Sequence, residues 1–534
     1  MNPNKKSCQI ASRLVGAGLC LLAILGVCYL IAFPMRAVYN ADYADTLSWA
    51  KASVDARALF SHDFNYACLL PFGGQLLMVP FVALFGFSYT AHACGMILFF
   101  LLLTLALGLF FKSLGANAFW TGLSLFCVVG ALCSSEKLRE VYFGHILYYS
   151  LGGLFLVVGL SLAVSLCKND GEKPLLSQWF AFCAWCVLCS TDGLTSLSLF
   201  ILPLCAALAF ERLCDRSVKF FSLENMRRSI PLLCAIGGAG AGTVLGALLR
   251  NGYSAPYQEA FSTFSATTDW PDNLLLFFSS FLEMFAGPVA LYAPFASFKG
   301  VVTALRLGFG LLVMAAPLVA LFFWKTLHHG EKRLLVAHFT VSATMLFAFV
   351  FGLLSNAPWR LSPMLFTSLL VTICLVRRLA LTSFFKRFAL LALVVCVLIA
   401  GLGLFDVAKM KPNDKPAGSA ADLADYLQQH GFTYGYSTFW NANAITVLSG
   451  DTVKCRGIDI SEETGLLSAG YYQNEPSWYY GQGDDETYFL LLSDGEYGGV
   501  AESIKDAATA TQQYNGYVIL SMPHDLFPRA VEES

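Results

Sequence analysis

Charge is what this chain has least of. Only 13% of its 534 residues are Asp, Glu, Lys or Arg, whereas 57% are apolar. An average soluble domain carries roughly twice that share of charge, so a water-soluble globular enzyme is excluded and a polytopic α-helical membrane protein is indicated. The net charge of −2 argues neither for nor against nucleic acid, but no basic stripe with interleaved aromatics occurs, so no nucleic-acid partner is expected. No Asn-x-Ser/Thr sequon is present. Cysteine is scarce where a stapled extracellular domain would need it: the last 125 or so residues hold only Cys455. Most other cysteines (Cys20, Cys94, Cys127, Cys183, Cys186, Cys189, Cys234, Cys374, Cys396) lie inside apolar runs and read as small hydrophobes. CAWC at 183–186 has no nearby carboxylate or histidine, so it reads as core and not as a metal site. There is no internal repeat.

What is there is a series of apolar segments, each about long enough to cross a bilayer. The first, 14–33, follows Lys5, Lys6 and Arg13 and precedes no small-residue cleavage site, so it reads as an anchor. Others fall near 89–111, 117–133, 145–167, 178–190, 194–210, 230–249, 301–323, 334–354, 362–376 and 388–405, making eleven. The short pair 178–190 and 194–210 meets at Ser190-Thr191-Asp192-Gly193, a tight turn. With the N-terminus inside, the inner segments hold 18 Lys/Arg and the short outer loops 5. The positive-inside rule therefore predicts a cytoplasmic N-terminus and an extracytoplasmic C-terminal region in a multi-pass plasma-membrane protein.

The domain plan is then a membrane domain over 1–405 with outer loops 34–75, 134–144 and 250–300, a Pro/Lys/Asp/Gly linker over 406–420, and a small α/β domain over 421–534. In the tail, ADLADYLQQH has helical spacing after Ser419, and FTYGYS, DTVKCRGIDI, TYFLLLS and NGYVILS read as strands. The tail contains no GxGxxG, P-loop, HExxH or GxSxG pattern, hence no nucleotide-binding or hydrolase signature. STFWNANAITVLSGD suits either stacking on sugars or a buried helix with polar ends.

The polar residues concentrate at the outer mouth. Loop 34–75 holds Asp42, Asp45, Asp55, Asp63, His62, Arg36, Arg57 and Lys51. Ionisable groups gathered at one mouth of an apolar bundle point to a site, the alternative being a solvated connector. Loop 134–144 adds Glu136, Lys137, Arg139 and Glu140, with His145 behind them. Glu136 and Glu140, four apart, share one helix face, and a capped turn with a Glu136–Arg139 pair is the plain alternative. Asp192 reads as a turn former. Loop 250–300, rich in aromatics, Ser and Thr, suits a segment lying on the outer leaflet. Arg360 beside Trp359 suits an interfacial anchor or a phosphate clamp.

This layout of a first span, an acidic outer loop, many further spans and a soluble outer domain resembles the GT-C class of integral-membrane glycosyltransferases. DYADTLSWAKA, LLPFGGQLLMVPFVALFG and YGYSTFWNANAITVLS are similar to bacterial multi-spanning GT-C-like proteins. The likeness covers most of the chain in layout and these three stretches in motif. It implies a sugar carried on a polyprenyl phosphate and transferred on the outer face with inversion, with the catalytic acid in the first outer loop and a second acidic loop assisting. Matched position by position, Asp42 falls on the loop-one acid, with Asp45 its rival. Many members show Asp followed by Glu there, and here neither aspartate is followed by Glu. Some members use a divalent cation, and the first loop here lacks a DxD.

Such chemistry requires a carboxylate base at the acceptor hydroxyl, for which Asp42 and Asp45 are the candidates. It also requires cations at the departing phosphate, for which Arg360, Arg57 and Arg139 are the candidates. Glu136, Glu140 and His145 would position the acceptor, a cell-envelope glycan or protein, or stand in for a metal. The donor would be a polyprenyl-phosphate sugar entering from membrane lipid. Two other classes compete. A lipid or solute transporter would show paired halves and mid-membrane charge, which are lacking. A non-catalytic scaffold or glycan-binding protein would leave the loop acids splayed into solvent.

Overall fold

The computed structural model describes residues 3–166, 174–214, 223–253, 255, 263–286, 294–382, 384–412, 414–470, 472–479 and 488–527. Among them, nine helices are long and apolar enough to cross a membrane: Gln9–Ala37, Tyr89–Ser113, Tyr148–Leu166, Leu194–Leu213, Ser229–Leu249, Phe298–Phe322, His329–Val350, Pro358–Ala380 and Lys386–Lys409. Two shorter helices, Ala118–Leu132 and Leu176–Ser190, stand where the sequence places the remaining two spans. This is a multi-pass membrane bundle.

Small residues set how closely the helices approach. A Cβ on Gly122 would lie 2.0 Å from the carbonyl oxygen of Gly16, so the first helix and Ala118–Leu132 touch backbone to backbone. Polar caps fix where helices begin. Ser88 accepts from the Ala91 N–H at 3.3 Å, and Asn117 from the Trp120 N–H at 3.0 Å. Loop 250–300 contains the helix Trp270–Ala286, which exposes Leu274, Leu275, Leu276 and Phe278 as a leaflet-lying segment would. The helix Gln75–Phe85, with Pro80 inside it, occupies the Pro- and Gly-punctuated run before the second span.

The tail forms a six-stranded sheet: β1 (Tyr434–Thr438), β2 (Lys454–Ile460), β3 (Leu467–Ala469), β4 (Tyr488–Ser493), β5 (Ala510–Tyr514) and β6 (Tyr517–Met522). The spatial order is β3-β2-β1-β4-β6-β5, with β1 parallel to β2 and β4 and the outer pairs antiparallel. Asn515-Gly516, both at positive φ (47° and 86°), turn β5 into β6 as a two-residue hairpin requires. The helix Phe439–Leu448 is mostly buried, with Asn441 and Asn443 inside and Trp440 exposed. It packs on the membrane-proximal helix Ala41–Ala56, so the NANAITVL stretch is an interdomain helix and not an open sugar platform. Further bonds hold the domain down: Tyr29 Oη donates to the Met410 carbonyl (2.7 Å) and Arg36 to the Leu448 carbonyl (3.2 Å).

Candidate active site

About half of the segment 34–75 is helix, chiefly Ala41–Ala56. Asn40 caps Ala41–Ala56 by accepting from the Tyr43 N–H, and the helix stops at Arg57, whose φ of 51° is left-handed. Asp42 and Asp45, three apart, lie on one face of its first turns. Asp42 is half-buried and Asp45 buried.

The second loop closes over them. After Ala118–Leu132 the chain bends by 115° into a turn, Glu136–Arg139, capped by Ser135. It continues as a single π-turn, Glu140–Gly144, a feature frequent at functional sites. Gly144 is there because Tyr43 leaves no room for more: a Cβ would sit 2.7 Å from its ring. The ion pair in this turn is Lys137–Glu140 (2.7 Å), not Glu136–Arg139. Lys137 also lies 4.6 Å over the Trp359 ring and faces Asp42.

Asp42, Asp45, Trp49, His145, Tyr149, Arg360 and Tyr472 line one cavity of about 460 Å³. Leu194, Phe264 and Phe347 line it too while lying exposed on the bundle surface, so its apolar side faces the region lipid would occupy. Arg360, 8% exposed on the turn before the helix Ser362–Ala380, interacts with the Tyr149 hydroxyl.

The electrostatics are uneven. Burial raises the Asp45 carboxyl far above the usual carboxylate range and neighbouring Asp42 raises it further, while the nearby Gln473 side chain pulls it back. Burial also raises Asp42, with Lys137 opposing the rise. Burial, then Lys137, pushes the His145 imidazole down to about 3, so it is neutral at ordinary pH. Both its ring nitrogens are buried without a hydrogen-bond partner. The arrangement offers a pair of carboxylates, a neutral imidazole and a guanidinium around one volume.

Not every sequence candidate arrives there. Glu140 lies behind Lys137, beside the cavity rather than on its wall. Glu136 is exposed. Arg139 turns back to donate to the Cys133 carbonyl (2.9 Å). Arg57 is exposed at its helix end. Asp192 is in its predicted turn but buried, accepting from the Phe72 N–H at 2.6 Å. Sequence reasoning missed Tyr149, Gln473 and Tyr472, which sit in no recognisable motif. Lys137 was visible as one charge among several, and its i,i+3 spacing to Glu140 was the available signal. Among the described residues no group of three or more His, Cys, Asp or Glu is arranged to hold a metal ion. Lys137 supplies the positive charge beside these acids.

No family model matches this chain, and no curated relative does. Solved structures do. ArnT from Cupriavidus metallidurans bound to undecaprenyl phosphate superposes with a TM-score of 0.53 at 11% identity, over 97% of this chain and 98% of that one. The same protein in the apo state gives 0.50 at 10% identity, over 93% and 96%. The apo oligosaccharyltransferase of Archaeoglobus fulgidus gives 0.49 at 11% identity, over 96% of this chain and 77% of that one. At such identities the ArnT likeness establishes the fold, which is GT-C-like.

Proposed function

We propose that this chain is a membrane glycosyltransferase that moves a sugar from a polyprenyl-phosphate donor to an acceptor on the outer face of the plasma membrane, with inversion. The observation that carries this reading is the convergence of Asp42, Asp45, His145 and Arg360 on one cavity whose other wall is apolar and lipid-facing. A lipid phosphate and a polar acceptor need that combination of surfaces, and a scaffold does not. The ArnT structure with undecaprenyl phosphate supports the donor class. The excess of Lys/Arg in the alternate loops supports a cytoplasmic N-terminus and an extracytoplasmic sheet domain.

In this mechanism Asp42, the less buried acid and the one facing Lys137, accepts the proton of the acceptor hydroxyl. The acceptor oxygen attacks the anomeric carbon from the face opposite the phosphate. The carbon–oxygen bond to phosphate breaks, and its electron pair leaves on the polyprenyl phosphate. Arg360, held beside Tyr149, receives that charge as it develops. Neutral His145 orients the acceptor through a hydrogen bond. Among the described residues no cluster of His, Cys, Asp and Glu is arranged to hold a divalent cation, and the side chains named here carry each step.

The test substitutes Asp42 and Asp45 by Asn, singly and together, at equal membrane abundance. Surface glycans and lipid-linked sugar pools are then compared with wild type and with a deletion. Loss of one glycan, or build-up of a polyprenyl-phosphate sugar, in the Asp42→Asn strain is the expected result. Unchanged pools in the double variant, beside a clear change on deletion, would sink the reading in favour of a scaffold or transporter.

A further inference from the structure

The sheet domain enters the cavity as well as resting on the bundle. Its loop at Tyr472-Gln473-Asn474 locks to the first outer loop by two backbone bonds. The Gln473 N–H donates to the Asn65 carbonyl (3.1 Å), and the Asn65 N–H donates to the Asn474 carbonyl (2.9 Å). Asn443, from the interdomain helix, donates to the Gln473 carbonyl at 3.1 Å. Gln473 itself is fully buried at a φ of 58°, a left-handed conformation that a residue with a side chain rarely adopts. Such strain persists only where the surroundings over-determine it, and it concentrates at working sites.

The side chain is fixed as firmly. Its amide oxygen accepts from the Trp49 indole N–H at 2.6 Å. Trp49 lies one turn after Asp45 on the same helix face, and both line the cavity, as does Tyr472. With the oxygen engaged, the amide nitrogen is the group left over. It is buried and has no hydrogen-bond partner, and the Gln473 side chain is near enough to Asp45 to pull its carboxyl down.

We infer that Gln473 is a positioning residue: docked with the sheet domain and held in a strained conformation, its amide orients the Asp45 carboxylate. The candidate site is then complete only with the C-terminal domain in place. The catalytic meaning of this contact rests on the transferase reading; the contact itself does not. A buried glutamine that only glued two domains would bond Trp49 and leave Asp45 unaffected.

The experiment is an infrared titration of the Asp45 carboxyl band in the purified full-length protein, the band being identified by its loss in Asp45→Asn. Gln473→Leu keeps the bulk and removes the donor, and the Asp45 titration is expected to move up by about one pH unit. Gln473→Gly guards against misfolding, because glycine takes this backbone conformation without strain. Relief of the strained backbone offsets part of the loss of the Trp49 bond and of the buried side chain, and the Asp45 band should move as in the Leu variant. An Asp45 titration unmoved in folded Gln473→Gly would overturn the inference. A moved band with glycans intact in Asp45→Asn would leave the contact standing and weaken the transferase reading. An unmoved band with glycans lost in Asp45→Asn would do the reverse.

Discussion

The two ends of the helix Ser362–Ala380, one beside Arg360 and the other at Arg377, handle charge in opposite ways. At the Arg377 end the acids are matched. Glu331, 2% exposed, meets Arg377 at 2.9 Å and Arg378 at 3.4 Å, and Arg377 also donates to the Leu114 carbonyl. Glu211 takes Arg333 at 2.6 Å and His329 at 3.0 Å. At the Arg360 end Asp45 is as buried but forms no ion pair among the described residues. His145 leaves both ring nitrogens unsatisfied. A buried group without a partner costs stability, and a fold keeps it where chemistry uses it. Arg377 Nη1 and Arg378 Nε also lack hydrogen-bond partners, but both guanidiniums meet a carboxylate, so that end reads as structure and the Asp45–His145 end as a candidate site.

Substitutions at the two ends should separate these roles. Asp42→Asn is expected to cost about 10²- to 10⁴-fold in transfer with little change in melting, because a base is lost and an isosteric amide remains. Glu331→Ala should do the opposite. Removing one partner strands Arg377 among buried groups, for a loss of about 3–5 kcal/mol in unfolding free energy, with turnover per folded molecule unchanged. Thermal melts and transfer assays on the same preparations read both. The contrast collapses if Asp42→Asn melts early or Glu331→Ala melts like wild type.

Much of this was legible in the chain. Apolar length located each spanning helix, because a bilayer demands unbroken hydrophobicity. Strands β1, β2, β4 and β6 were visible as β-branched and aromatic runs. Strands β3 (Leu-Ser-Ala) and β5 (Ala-Thr-Gln-Gln-Tyr) are edge strands, short or polar, with no pattern to separate them from loops. In the site, Asp42, Asp45, His145 and Arg360 stood out because ionisable groups are rare in such a chain. What sequence could not rank was Arg360 against Arg57 and Arg139, since that depends on where each guanidinium points after folding. Gln473 was beyond reach, because its importance comes from a left-handed backbone and a contact 428 positions away from Asp45.

Asp192 sharpens the comparison through pH. It lies in the turn between two apolar helices, held by the Phe72 N–H, and burial lifts its carboxyl to about 7 against the opposing pull of that bond and of Arg250. Between about pH 4 and 7 the folded chain keeps a proton that the unfolded chain has released. Stability from this group therefore falls as pH rises across that window and is flat above it. Asp192→Asn removes the slope while keeping an acceptor for Phe72. The variant should gain on wild type with rising pH, by about 2–4 kcal/mol between pH 4 and 8. Melting curves at several pH values check this, and parallel curves for the two proteins would remove Asp192 from the buried, unpaired class.

The smallest effect belongs to Arg57, which sequence alone ranked with Arg360. Arg57 is exposed and adopts a φ of 51° where its helix ends. A glycine there avoids the cost of a left-handed side-chain residue, so Arg57→Gly should stabilise by up to about 1 kcal/mol. Transfer should stay within about twofold of wild type, because the guanidinium does not line the cavity. Arg360→Gly, by contrast, removes the buried cation from the cavity wall. If Arg57→Gly instead lowered transfer as strongly as loss of Arg360, the phosphate would lie outside the cavity described here. The buried Asp45 and His145 at this end would then need an explanation other than catalysis.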